Sequence, residues 1–110
     1  MSIDHIWRNA MRTIKLTQGA IDNDYIKLTE VMDMFPKKYV GKSSRDKGAG
    51  EELTVTFAEG KSVKTDINGK YKRFRVRAFV ARFVEIHKLK AGDLVKIEKV
   101  SEGHFSILPA

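Results

Sequence analysis

The sequence predicts a mainly β, mixed α+β domain: about seven strands closed into a small barrel, two flanking helices, and a short N-terminal helix as an optional third. Three observations carry that expectation. Short runs of alternating polar and apolar residues recur along the chain, and most are joined by brief turns. One amphipathic helix interrupts them, beginning at about Arg77. Phe79, Val80, Phe83, Val84 and Ile86 fall on one face at three- and four-residue spacings, with Arg82, Glu85 and Lys88 on the other. A chain of 110 residues suits one domain, 1–110, around one core.

The elements follow in order. Ser2–Met11 reads as the N-terminal helix: Ser2 caps it, Asp4 favours its positive end, and Ile3, Ile6, Trp7 and Ala10 share a face. Arg12–Leu28 reads as two strands joined by a polar loop. Ile14 and Leu16 alternate with Lys15 and Thr17, Gln18-Gly19-Ala20 and Asp22-Asn23-Asp24 supply turn chemistry, and Tyr25, Ile26 and Leu28 resume the strand. Thr29 is positioned to cap a short helix, Glu30–Phe35, which Pro36 ends or kinks before one more turn at Lys37-Lys38-Tyr39-Val40. Lys42–Glu52 is a polar, glycine-containing loop. Leu53–Phe57 alternates strictly, with Leu53, Val55 and Phe57 on one face. A strand at Ser62–Ile67 meets another at Lys70–Val76 through Asn68-Gly69, the pair that favours a type I′ hairpin. After the helix, Leu89-Lys90-Ala91-Gly92-Asp93 turns the chain. Gly92 permits the turn and Asp93 can bond local amides. Leu94, Val95 and Ile97 open a strand, Glu102-Gly103 turns, and His104–Leu108 is the last strand.

Composition narrows the function. Lysine and arginine number 21 against 14 aspartate and glutamate, a net charge of +7 on a small domain, which points to a polyanionic partner, nucleic acid first. The absence of cysteine excludes disulfides, thiol catalysis and cysteine-ligated zinc, and fits a reducing compartment. No apolar run approaches the ~18 residues of a membrane span, and the early acid and missing apolar stretch at the N-terminus argue against a signal peptide. The expected location is the cytoplasm.

No catalytic constellation is complete. His5, His87 and His104 are scattered without paired-ligand spacing, so no metal or other cofactor is expected. Glu59-Gly60-Lys61 has the acid-x-lysine shape of one large nuclease fold, with Asp24 as a distant acid, but nothing in the sequence assembles them. The chain reads as a binder and not an enzyme.

One long signature carries a family resemblance. It runs from Phe74-Arg75-Val76-Arg77 through the aromatic-x3-aromatic helix face of Phe79 and Phe83 to Leu89-Lys90-Ala91-Gly92-Asp93-Leu94-Val95 entering a strand. With Ile14-Lys15-Leu16-Thr17-Gln18-Gly19, Asn23, Tyr25 and Met34-Phe35-Pro36, it resembles the DNA-binding pseudobarrel superfamily. That group holds the plant B-three domain and the effector-binding domains of restriction endonucleases such as EcoRII, BfiI and UbaLAI. Element order agrees from about residue 12 onward. The Leu-Lys-Ala-Gly-Asp-Leu-Val turn by itself is also that of swapped-hairpin regulators of the AbrB type, which leaves a dimeric regulator or antitoxin as the alternative.

The resemblance implies an open pseudobarrel that grips duplex DNA with two arms in the major groove, as a sequence-specific, monomeric, non-catalytic domain of restriction-effector or regulator type. The first arm would be Lys15–Tyr25, with Lys15, Thr17, Gln18, Asn23 and Tyr25. The second would be Lys64–Arg73, with Lys64, Asp66, Asn68, Lys70, Lys72 and Arg73. The loop after the first helix would add Lys42, Ser43, Arg45 and Lys47. The chemistry agrees: Gln18, Asn23 and Asn68 can pair with base edges, and the cations can neutralise phosphates or reach guanine. Asn23 and Asn68 can equally serve only their turns.

Overall fold

The computed structural model describes residues 11–110, so the helix expected at Ser2–Met11 lies outside the described residues, except that Met11 opens a strand. Among the described residues the chain forms eight strands in two sheets and three α-helices. In chain order these are β1 (Met11–Lys15), α1 (Gln18–Asp22), 3-10 turns at Thr29–Met34 and Lys37–Tyr39, β2 (Val40–Gly41), α2 (Arg45–Gly48), β3 (Leu53–Phe57) and β4 (Ser62–Thr65). Then follow β5 (Ile67–Asn68), β6 (Arg73–Phe74), α3 (Ala78–Ile86), β7 (Leu94–Ser101) and β8 (His104–Pro109). The result is the mainly β, open-barrel class that the alternating runs predict.

The larger sheet has the order β1-β7-β8-β3-β4, antiparallel except where β3 runs parallel to β8. The smaller sheet, β2-β5-β6, grows from the end of β4 across the single residue Asp66. Register follows the apolar alternation: Val55 lies opposite Phe105 and Ile97 opposite Ile107, and all four are buried. β7, entered from the Leu89–Asp93 turn, pairs with β1 and β8 of the same chain.

Aromatic rings fill the space between the sheets and α3. Phe57 packs on Phe83 with ring centroids 5.4 Å apart, and Phe35 bridges Phe105 at 4.5 Å and Phe74 at 5.9 Å. Burying each such ring contributes about 1.5–3 kcal/mol. Val80 and Phe83 are the fully buried residues of α3, while Ile86, expected on the same face, is 48% exposed. At 3.6 residues per turn, Ile86 lies about 90° from the midline between Val80 and Phe83, off the stripe the sheet covers. The helix closes with Lys88 in the left-handed region (φ 52°) and the Leu89 amide donating to the Val84 carbonyl at 3.0 Å.

Three expectations change. The polar loop expected within Arg12–Leu28 is α1: the Thr17 hydroxyl accepts from the Ala20 amide at 3.1 Å, and the Asn23 amide closes the other end on the Gly19 carbonyl. The second strand of that segment reduces to one bridge, Lys27 with Arg73. Thr29 opens a 3-10 turn with no side-chain cap, in place of a capped α-helix. Asn68-Gly69 is not a type I′ tip. Asn68 lies buried in β5, residues 69–72 make the turn, and Lys72 rather than Gly69 takes the positive φ (54°). Gly69 is required for a different reason: a Cβ there would sit 2.7 Å from the Gly41 carbonyl oxygen.

Candidate nucleic-acid interface

The turn at residues 89–93 sets the root of the first arm. The Lys90 amide donates to the Asp93 carboxylate at 2.9 Å, and Gly92 takes φ 95°. So shaped, the turn exchanges two backbone bonds with Leu16: the Leu16 amide donates to the Asp93 carbonyl (2.9 Å) and the Gly92 amide to the Leu16 carbonyl (2.8 Å). The chain therefore leaves β1 in a fixed direction at Thr17. Lys15, Thr17, Gln18 and Asn23 are exposed. Three of these side chains have local duties as well. The Thr17 hydroxyl caps α1, and Gln18 Nε2 donates to Asp22 at 2.8 Å. Asn23 Nδ2 donates to the Gly19 carbonyl at 2.9 Å. Arg77 then holds the far end of the arm, donating through Nε and Nη2 to the Asn23 carbonyl at 3.2 and 2.7 Å.

The second arm meets the first. The Leu28 amide donates to the Lys72 carbonyl at 2.7 Å, beside the Lys27–Arg73 bridge. The Arg73 guanidinium carbon lies 4.8 Å from the ring centroids of both Tyr25, in the first arm, and Tyr71, in the second. Lys70 Nζ approaches the Tyr71 ring at 5.3 Å. Each contact of a cation with a ring face contributes about 0.5–1 kcal/mol at an exposed site.

A polar clamp fastens the loop at 42–50 to the same arm. Asp66, in the break between β4 and β5, is buried; its carboxylate accepts from Arg75 Nε at 2.6 Å, Arg75 Nη2 at 3.0 Å and the Gly50 amide at 2.8 Å. Burial pushes the Asp66 carboxyl up, but the Arg75 hydrogen bond and charge and the Gly50 amide outweigh it and hold the group below the usual carboxylate range. The Asp66 hydrogen bond raises Arg75 in turn. Arg75 Nη2 also donates to the Lys42 carbonyl at 2.9 Å, and Asn68 Nδ2 donates to the Ser43 carbonyl at 3.1 Å. Gly41 lies under this clamp, where a Cβ would strike Asp66, Gly50 and Arg75.

Asp66 and Asn68 thus leave the set of candidate DNA-contacting residues. Both are buried, and their polar atoms are taken by Arg75, Gly50, Ser43 and the Lys70 and Tyr71 amides. They fasten the loop at 42–50 to the second arm from inside. Lys42, Lys47, Lys64, Lys70 and Lys72 are exposed, Ser43 is half-buried, and Arg45 opens α2. Among the described residues the ion pairs fall on Arg12, Lys38, Arg75, His87 and Lys96, so none of the five exposed lysines is neutralised. Lys64 stands somewhat apart, on the edge strand β4.

Sequence reasoning missed Lys27, Tyr71 and Arg77 as parts of this region. Lys27 lines an open groove with Ile14, Lys15, Thr17, Thr29 and Glu30. Tyr71, 43% exposed and flanked by cations at Lys70 and Lys72, carried a signal: a large ring left in water beside positive charge. The acid of the nuclease tripeptide is otherwise occupied. Glu59 takes the His87 ring nitrogen at 3.0 Å, and among the described residues no three His, Asp or Glu side chains gather as metal ligands would. No helix among the described residues is long and apolar enough to cross a membrane.

Several solved structures share the fold. The N-terminal domain of Helicobacter pylori LlaJI.R1 superposes with a TM-score of 0.58 at 13% identity, covering 89% of this chain and 84% of that one. A hypothetical Arabidopsis thaliana protein superposes with a TM-score of 0.54 at 10% identity, covering 88% and 85%. At these identities the likeness is one of fold, and it is the fold expected from the pseudobarrel signature. No protein-family model matches the sequence, and no curated protein matches it.

Proposed function

We propose that this domain binds double-stranded DNA sequence-specifically, as a monomeric and non-catalytic recognition module of restriction-effector or regulator type. The observation that carries the proposal is the joining of the two arms and the loop: Tyr25, Arg73 and Tyr71 stack together, and Asp66, Arg75 and Asn68 bind the loop at 42–50 to the second arm. The fold shared with the two solved structures supports it, as does a net charge of +7. Lys15, Lys42, Lys47, Lys70 and Lys72, with Arg45 and the more distant Lys64, neutralise phosphates and hold the domain in register. Gln18 and Asn23, whose side-chain oxygens accept no hydrogen bond among the described residues, meet base edges in the major groove, with Thr17, Ser43 and Tyr25 beside them.

The test is selection of bound sites from a random duplex library at rising salt, with and without cytosine methylation. The proposal expects a preferred site that persists while affinity falls. Seven phosphate contacts give a slope of about −6 in log affinity against log salt. Enrichment of no site would remove the claim of specificity. Mass in solution separates the swapped-hairpin alternative, which requires a strict dimer; the proposal expects a monomer.

A further inference from the structure

Among the arginines in and beside the arms, Arg73 is held differently from the rest. Arg12 donates to Asp33 and the Glu30 carbonyl, Arg75 to Asp66 and the Lys42 carbonyl, and Arg77 to the Asn23 carbonyl. Each is committed to internal acceptors. Arg73 instead lies against two tyrosine rings, 4.8 Å from each centroid, and no hydrogen bond or ion pair among the described residues takes up its guanidinium. Since among the described residues no buried side-chain nitrogen or oxygen is left without a partner, its N–H groups reach solvent. A ring face stabilises the cation without accepting its in-plane N–H bonds, so the five-donor fork stays available while much of the side chain's rotational freedom is already lost. Its backbone is fixed too, in β6 opposite Asn68 and bridged to Lys27.

We propose that Arg73 is the specificity-determining residue for one guanine of the DNA site, donating bidentately to O6 and N7, and that Tyr25 and Tyr71 are its positioning residues. The inference rests on the DNA-binding reading above and sharpens it. A lysine could neutralise a phosphate without this arrangement. A rigid planar fork is what discriminates guanine from the other bases, and an arginine restrained by a ring from each arm presents one. Because the two rings come from different arms, the same stack makes recognition of that base depend on both arms being in place.

The test compares bound-site selections by the full chain and its variants. The wild type should enrich a site containing an invariant guanine. Arg73→Lys, which keeps the charge but loses the fork, should lower the preference for guanine at that position about ten- to hundredfold and leave the other positions intact. The slope of log affinity against log salt should change by less than about one, the loss of a single phosphate contact. Tyr71→Leu and Tyr25→Leu should relax the same position partially, and Tyr71→Phe should restore it. Thermal melts identify any variant that fails to fold, and Arg73→Lys with Tyr71→Phe then carries the test. Two results overturn the inference: unchanged guanine preference in Arg73→Lys, or a uniform loss at every position with a shallower salt slope, the mark of a phosphate contact. A wild type that enriches no site would remove the DNA-specificity reading itself and this inference with it.

Discussion

Replacing Asp66 with alanine removes the acceptor at the centre of the clamp, and the cost can be worked from its contacts. Asp66 and Arg75 side chains are 4% and 13% exposed, so the ion pair is largely desolvated. Breaking a buried pair by deleting one partner costs about 3–5 kcal/mol. Arg75 keeps its bond to the Lys42 carbonyl and a little water, which places this case near 3 kcal/mol. The Gly50 amide loses its acceptor as well, adding about 1 kcal/mol. A total near 4 kcal/mol, at a urea slope of about 2 kcal/mol per molar, lowers the unfolding midpoint by about 2 M. Hydrogen exchange should show the Gly50 amide losing protection before the sheet amides do. A midpoint shift corresponding to less than about 1 kcal/mol, the scale of an exposed ion pair, would refute the claim that the clamp is buried and structural.

Other outcomes follow from the same geometry. Asp66 binds its proton more weakly in the folded chain than in the unfolded one, so its contribution is present above the ordinary carboxyl range and is lost as pH falls through the depressed value. Urea melts of wild type and Asp66→Asn should therefore differ most near neutrality and converge as the pH drops below about 4. Phe83→Ala, which empties the contact with Phe57, should cost about 3–5 kcal/mol in the same assay. Lys72→Gly should raise stability by about 1 kcal/mol by relieving the positive φ, yet weaken DNA binding and shorten the salt slope by about one. Gly41→Ala should destabilise by more than 1 kcal/mol, since Asp66, Gly50 and Arg75 must all shift to admit a methyl group.

The parts of this fold that could be read in the sequence are those whose information is local. β3 and α3 declare themselves by period, because each buries one face along its own length, and the turn at residues 89–93 declares itself through Gly92 and Asp93. α1 hid behind turn residues: Thr17 and Asn23 suit a loop and a helix end equally well, and a helix of five residues has no period to detect. Asn68-Gly69 misled because its hairpin preference holds for an exposed tip, whereas here Asn68 is inside and its amide supports the loop at 42–50. The site behaved similarly. Exposed cations could be named from charge alone. The roles of Asp66 and Arg75 could not, since they depend on Gly50 and Lys42, distant in sequence, arriving at the same point. The stack of Arg73 on Tyr25 and Tyr71 is likewise a product of the tertiary fold, which folds the first arm back against the second.

The two arms and the loop at 42–50 are proposed to form a single DNA-binding face, carried by a core that does not touch DNA. Backbone amide chemical shifts followed during titration with a selected duplex test it most directly. The largest changes should fall together in residues 17–25, 42–47 and 70–73, while those of α3 and the middle of β7 stay small. Largest changes along the outer side of α3, around Ala81, Arg82 and Ile86, with the arms unmoved, would contradict it.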